Sequence, residues 1–112
     1  MKKIYISGKI TGDPNYRDKF NRADIELTKN NDCWTYNPIF LAEYLEYLTG
    51  STEDLKYSDY LKYDLEFLLK CDAIFMLADW KESEGAKLKH KIAEMIGLEI
   101  LYQNDIDNET TL

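Results

Sequence analysis

The sequence predicts a single α/β domain, with a parallel sheet of about four strands and helices on both faces. Two observations predict it. Short and almost wholly apolar runs, of which residues 73–77 are the clearest, alternate with longer segments whose apolar residues recur at helical spacing. The chain also has 112 residues, which is enough for one compact domain with a single core.

The first half of the chain reads as strand, helix, strand, helix. Strand one covers residues 3–7 and ends at Gly8. Asp13 suits the N-cap and Pro14 the first position of a helix that reaches about residue 30. Its apolar face consists of Tyr16, Phe20, Ala23 and Leu27. Strand two covers residues 33–36, and the next helix, about residues 39–48, stops at Gly50.

The second half reads as helix, strand, helix, strand. After a polar loop, Ser58 or Asp59 begins a third helix that reaches residue 70. Strand three covers residues 73–77, helix four about residues 85–96 with Gly97 as its cap, and strand four residues 99–102. These elements form the domain of residues 1–102. Residues 103–112 are a polar tail, either loose or packed on a partner.

The predicted strand order is 2-1-3-4, an arrangement of the Rossmann or flavodoxin type. It places a topological switch between strands one and three, so the loops after them face each other across a crevice. The N-terminus of helix four opens into this crevice with unpaired N–H groups and a partial positive charge, which suit an anionic or sugar ligand. Gly85 and Ala86 keep the entrance small, so a ligand can approach the backbone closely.

Composition and charge argue against several classes of function. The net charge of −7 repels nucleic acid, and the apolar runs are too short to span a membrane. The first residues enter a strand pattern directly, so we expect no signal peptide and a cytoplasmic protein. Cys33 and Cys71 lie apart in apolar contexts and read as reduced thiols. We expect neither a metal nor a cofactor.

Three segments together resemble nucleoside 2-deoxyribosyltransferase-like proteins. They are residues 5–12 (YISGKITG), residues 71–77 (CDAIFML), and Ser83-x-Gly85-Ala86 with Ala93 and Gly97 behind it. The resemblance covers nearly the whole chain except the tail. It is closest to a small phage and bacterial branch of that superfamily, which also contains the deoxynucleoside monophosphate N-glycosidases.

The resemblance implies roles for several residues. Ser83 matches a serine that holds a sugar 5′ oxygen or phosphate, and Gly8 with residues 9–12 matches a loop that wraps the sugar or phosphate. In the enzymes a glutamate four residues after the glycine attacks C1′ of the sugar. Here that position is Lys89, whose ammonium repels the positive charge that develops on the sugar. The resemblance therefore implies binding without the usual glycosyl transfer.

Several candidate ligand-binding residues have two interpretations. Tyr5 and Ser7 belong either to the core or to the pocket, and Trp80 either stacks on a base or anchors its loop. Lys89 is either a solvated lysine or a pocket cation for a phosphate, and Ser83 either caps helix four only or also contacts the ligand. Lys9, Thr11 and Gly85 complete the predicted binding set.

Two carboxylates are candidates for residual catalysis. Asp79 follows strand three at its carboxyl end and suits either a ribose hydroxyl or catalysis, and Glu84 lies at the predicted pocket mouth. Asp72 enters strand three at the opposite end, away from the pocket.

Three functions follow as hypotheses. The first is a protein that binds a nucleoside or its phosphate, with sequestration of a nucleotide as its use if the gene belongs to a phage. The second is an N-glycosidase or deoxyribosyltransferase that uses Asp79 or Glu84. The third is a structural subunit with an empty crevice. Nine tyrosines, concentrated in the middle helices, indicate a homo-oligomer.

Overall fold

The computed structural model describes residues 1–104. In chain order the elements are β1 (Lys2–Ser7), α1 (Tyr16–Asn30), β2 (Cys33–Tyr36), α2 (Pro38–Thr49), α3 (Tyr57–Leu68), β3 (Ala73–Met76), a 3-10 turn (Trp80–Glu82), α4 (Glu84–Ile96) and β4 (Glu99–Tyr102). Of the predicted tail, Gln103 and Asn104 are described, and the rest lies outside the described residues. The side-chain oxygen of Gln103 accepts a hydrogen bond from the Ala78 amide at 2.8 Å, beside the end of β3.

The four strands form one parallel sheet in the order β2-β1-β3-β4, which confirms the predicted topology. In the middle of the sheet Ile4 lies opposite Thr35 of β2 and Ala73 of β3. Ile74 lies opposite Ile100 of β4. All of β3 is buried, as expected for a parallel strand covered on both faces.

The sheet is covered on both faces because successive strand residues point in opposite directions. On one face Phe20 and Leu27 of α1 pack with Ile6 and Phe75. On the other face Leu68 of α3 and Ala93 of α4 pack with Tyr5, Ile74 and Met76. The second face therefore carries α3 and α4, and the candidate site lies at its edge.

The predicted beginning of the first helix was wrong. Helix α1 begins at Tyr16, with Asn15 as the N-cap, and not at Pro14 with Asp13 as the cap. The carboxylate of Asp13 accepts a hydrogen bond from the Asn15 amide at 2.9 Å and also pairs with Lys19. Because those contacts fix Asp13 in the preceding turn, the helix starts later than propensity alone predicts.

The bounds of the third helix also differ from the prediction. Helix α3 begins at Tyr57, ahead of Ser58 and Asp59, and ends at Leu68. The carboxylate of Asp59 accepts a hydrogen bond from the Lys56 amide at 2.9 Å, so Asp59 acts from inside the first turn. Strand β3 ends one residue early, at Met76, although the Leu77 amide still donates to the Ser7 carbonyl at 2.8 Å.

Other local predictions are confirmed. Gly97 ends α4 with a left-handed φ of 78°, which suits a residue without a Cβ. Asp72 lies at the amino-terminal edge of the sheet, where it accepts a hydrogen bond from the Lys3 amide. Both cysteines are free thiols. Within residues 1–104 no helix combines the length and apolarity needed to cross a membrane.

Candidate functional site

A cavity of about 630 Å³ opens at the carboxyl ends of β1 and β3, where the strand order reverses. One wall is the loop from Gly8 to Thr11, and the opposite wall runs from Glu82 through the first turn of α4. These are the two segments that the sequence predicts to face each other. The remaining wall consists of residues from α2 and α3, together with Tyr16 and Arg17 of α1, which the sequence did not assign to the site.

The N-terminus of α4 lines one side of the cavity. Ser83 is the N-cap, and its hydroxyl oxygen accepts a hydrogen bond from the Ala86 amide at 3.1 Å. A Cβ on Gly85 would come within 2.7 Å of the Tyr57 hydroxyl, so the missing side chain leaves room for the tyrosine. First-turn amides of a helix have no backbone acceptor within the helix; the Ala86 amide is taken by Ser83, and Glu84 and Gly85 also line the cavity.

Position 8 requires a glycine for a different reason. A Cβ at this position would lie 2.7 Å from Cδ1 and 2.8 Å from Cβ of Leu77, which is fully buried. The chain leaving β1 thus passes directly over the residue that follows β3. This close approach brings the two cavity loops together.

Lys89 lies in the cavity wall and is not solvated. Its ammonium forms an ion pair with the Asp64 carboxylate at 3.1 Å, with 10% of the lysine side chain and 14% of the aspartate side chain exposed. The ammonium also lies 5.2 Å from the ring centroid of Tyr5. Burial raises the pKa of Asp64, and the charge and hydrogen bond of Lys89 oppose that rise.

Tyr5 and Ser7, two of the predicted binding residues, lie outside the set of described residues that line the cavity and belong to the buried core. Tyr5 and Ser7 are almost completely inaccessible, and within the described residues neither hydroxyl has a hydrogen-bond partner of good geometry. Burial, and next the negative charge of Asp64, raise the pKa of Tyr5 well above its ordinary value. The Tyr5 hydroxyl faces the Asp64 carboxylate, whereas the Ser7 hydroxyl has no hydrogen-bond partner among the described residues, which is costly for a buried polar group.

Asp79 lies outside the set of described residues that line the cavity. Its Oδ1 accepts a hydrogen bond from the Lys9 amide at 3.1 Å, and its Oδ2 pairs with Lys19. Trp80 is also outside that set. Its ring stacks on the His90 ring with centroids 4.2 Å apart and packs against the second face of the sheet, so it anchors the loop.

Glu84 lines the cavity mouth, as predicted, but its side chain is 92% exposed and pairs with Lys87 at 2.8 Å. Lys9 and Thr11 also line the cavity. Among the described residues no cluster of three or more histidine, cysteine or acidic side chains is arranged to hold a metal.

Asp64 is a charged cavity residue that sequence reasoning missed. It lies three residues after Leu61 and four before Leu68, so a carboxylate interrupts the apolar stripe of α3. The interruption could have been recognised from the sequence, because a charged residue on a buried helix face needs a partner. The partner is Lys89 of α4, and helical spacing alone does not reveal a pairing between two separate helices.

Helix α2 adds charge and exposed aromatic surface to this side of the molecule. At the cavity wall Glu43 pairs with Arg17 at 2.6 Å, and Glu46 accepts a hydrogen bond from the Tyr60 hydroxyl at 3.1 Å. Tyr44 and Tyr47 point outward, with Tyr47 80% exposed. The homo-oligomer inferred from these tyrosines remains a prediction.

Comparison with known proteins places the chain in a family. The profile described as Domain of unknown function (DUF4406) matches residues 2–102, so the chain belongs to that family. No curated protein gives a significant match. The family description names no activity, and the resemblance to nucleoside 2-deoxyribosyltransferase-like proteins therefore remains a prediction.

Proposed function

We propose that this DUF4406 protein binds a nucleoside or nucleoside phosphate in the cavity and does not cleave it. The observation that carries the proposal is Lys89, which lines the cavity and is held by Asp64. In the enzymes that the sequence resembles, the equivalent position carries the nucleophilic carboxylate. An ammonium there disfavours the cationic transition state of glycosidic bond cleavage but leaves the cavity able to hold a ligand.

The cavity matches a nucleotide in size and in the placement of its polar groups. A volume of about 630 Å³ lies within the range typical of small-molecule sites. The phosphate or the sugar 5′ oxygen is assigned to the first turn of α4, near Ser83, with Lys9 as the lysine that lines the facing loop. The base is assigned to the wall that contains Tyr57 and Ile39, where an aromatic ring and an apolar side chain are available.

Binding without turnover suits a protein that sequesters its ligand. If the gene belongs to a phage, removal of a host nucleotide from solution is the expected use. Sequestration requires tight binding, and the cavity supplies apolar walls together with a few directional polar groups.

A second candidate function is N-glycosidic bond cleavage by a carboxylate other than the usual glutamate. The observation that favours it is Asp64, a mostly buried carboxylate in the cavity wall whose pKa burial raises. Asp64 has a stronger structural case than the two carboxylates proposed from sequence, because Asp79 is engaged outside the cavity lining and Glu84 is exposed. In this reaction the Asp64 carboxylate either bonds to C1′ or takes a proton from the water that does so, while the C1′–N bond breaks and the base leaves with its electron pair and gains a proton from water.

One experiment separates these functions. The purified protein is heated with a panel of nucleosides and nucleoside mono-, di- and triphosphates, and the same samples are analysed by chromatography for released base. A ligand at a hundredfold excess over its Kd adds about 3 kcal/mol of stability, which raises Tm by on the order of 10 °C. Stabilisation without base release supports binding, whereas base release that Asp64→Asn abolishes establishes the enzyme.

A matched pair of lysine variants tests whether the cavity is the binding site. Lys9 lines the cavity, whereas Lys91 is an exposed lysine of α4 outside the lining. Lys9→Ala is expected to weaken phosphate-bearing ligands about tenfold, since a charge-assisted contact is lost, and Lys91→Ala to leave them unchanged. Equal effects of the two variants, or no stabilisation by any member of the panel, contradict the proposal.

A further inference from the structure

Lys19 of α1 makes three contacts that sequence reasoning did not anticipate. Its ammonium donates to the Lys9 carbonyl at 2.7 Å and forms ion pairs with Asp13 and Asp79. About 22% of its side chain is exposed, so the contacts are partly shielded from solvent. Partial burial lowers the pKa of Lys19, but the hydrogen bonds to both carboxylates outweigh it and raise the pKa overall. Lys19 is therefore charged throughout the physiological pH range.

The three partners of Lys19 belong to the two loops that meet at the cavity. Lys9 and Asp13 lie in the loop between β1 and α1, and Asp79 lies in the loop between β3 and α4. A second contact joins the same loops, since the Lys9 amide donates to Asp79 at 3.1 Å. The Asp79 carboxylate thus holds the loop between β1 and α1 in two ways: directly, through the Lys9 amide, and indirectly, through Lys19.

The segment held in this way is a wall of the cavity. Residues 8–11 line it, and they lie between the end of β1 and the turn at Gly12, whose φ is +84°. Apart from the links through Lys19 and Asp79, backbone hydrogen bonds in this loop run from the Asp13 amide to the Ile10 carbonyl at 3.2 Å and from the Tyr16 amide to the Asp13 carbonyl at 3.3 Å. The packing of Ile10 against the core and the close approach of Gly8 to Leu77 hold the start of this wall, and the polar contacts of Lys19 and Asp79 hold the backbone of residues 9–13.

We infer that Lys19 is a positioning residue for the ligand site. Its ammonium does not line the cavity; it fixes residues 9–13 against the loop after β3, so that the wall is formed before the ligand arrives. Ordering a loop in advance lowers the entropic cost of binding. This inference rests on the proposed function for its effect on binding, but the effect on the loop itself is independent of any ligand.

The test uses Lys19→Met, Lys19→Arg and a matched control. Lys29→Met removes an exposed lysine near the end of the same helix. Amide hydrogen exchange is measured without ligand, and Kd is then measured for the panel nucleotide that gives the largest thermal shift. Asp79→Asn provides a second way to weaken the link if Lys19→Met does not fold.

For Lys19→Met we expect exchange at the amides of residues 9–13 to accelerate at least about tenfold, while the core strand β3 is unchanged. We expect Kd to rise about tenfold, Lys19→Arg to recover most of the affinity, and Lys29→Met to match the unmodified protein. Unchanged exchange in the loop overturns the inference. Faster loop exchange with an unchanged Kd also overturns it, because the loop would then not matter for binding.

The two proposals fail in different ways. If no nucleotide binds the unmodified protein, the proposed function fails, and the exchange measurement still decides whether Lys19 fixes the loop. If a nucleotide binds and Lys19→Met changes neither loop exchange nor affinity, the proposed function stands and the role of Lys19 is refuted. A uniform increase in exchange across β3 and the loop assigns Lys19 to global stability and refutes positioning.

Discussion

Replacing Lys89 with methionine is expected to destabilise the fold by about 3 kcal/mol at pH 7. Methionine has nearly the length of the lysine stem, so the substitution removes the ammonium and changes packing little. Asp64 then loses its ion-pair partner while 14% of its side chain is exposed. Breaking a buried pair from one side costs about 3–5 kcal/mol, and the open cavity next to this pair favours the lower end of that range.

The pH dependence of this loss has a definite sign. Burial raises the pKa of Asp64 in the folded protein, and removing Lys89 removes the main effect that opposes the rise. A carboxyl whose folded-state pKa is raised gives stability that is present at low pH and lost as the pH rises through that pKa. The destabilisation by Lys89→Met is therefore largest near pH 7 and shrinks towards pH 4, where Asp64 binds a proton.

The assay is urea denaturation at several pH values for a double-mutant cycle. The cycle consists of the unmodified protein, Lys89→Met, Asp64→Asn and the variant with both substitutions. The double variant contains neither buried charge and is expected to recover about half or more of the stability lost in Lys89→Met. Arg22, which forms an exposed pair with Asp18, gives a control in Arg22→Met, with an expected change below about 0.5 kcal/mol.

Two results would refute the reasoning. The first is a loss below about 0.5 kcal/mol for Lys89→Met at pH 7, since the pair would then behave like an exposed one. The second is a loss that stays constant from pH 7 to pH 4, since Asp64 would then not be the group left unpaired.

Three further predictions concern local packing and reactivity. Gly8→Ala is expected to lose about 1–3 kcal/mol in urea denaturation, because its Cβ meets the buried Leu77 at 2.7 Å. Gly85→Ala is expected to leave the free energy of unfolding unchanged or to raise it by up to about 1 kcal/mol. The new Cβ meets only the end of the exposed Tyr57 side chain, and alanine favours a helix. Equal losses of stability in the two glycine variants would contradict both arguments. The thiol of Cys71, whose pKa burial raises to about 12, is expected to resist iodoacetamide at pH 8 in the native protein and to react after denaturation, and rapid native labelling followed by mass spectrometry would count against it.

The fold was predictable because each strand can be recognised from its own stretch of sequence. The apolar run that contains β3 is buried along its whole length, and the alternation of strands and helices leaves few topologies for a parallel sheet. Gly50 and Gly97 mark helix ends, and both adopt a left-handed φ there. These features are local or follow from general chirality rules, so the sequence alone specifies them.

The errors and omissions arose from contacts between distant residues. Asp13 was assigned to a helix cap by its position, but its pairing with Lys19 holds it in the preceding turn. Asp79 was assigned to the ligand because it follows β3, and its hydrogen bond with the Lys9 amide across the crevice was not foreseen. Asp64 and Lys89 lie 25 residues apart, and their pairing depends on how α3 packs beside α4. Such pairings require three-dimensional placement that residue spacing does not contain.

The central claim is that the cavity between the β1 and β3 loops binds a nucleotide. Two-dimensional amide NMR of the ¹⁵N-labelled protein, titrated with the panel nucleotide that stabilises it most, tests this claim directly. The account predicts saturable shifts at Gly8, Thr11, Gly85 and Ala86, with amides of β4 unmoved and the ligand intact at the end. Saturable shifts confined to another surface, or no shift at these four amides at millimolar ligand, would contradict it.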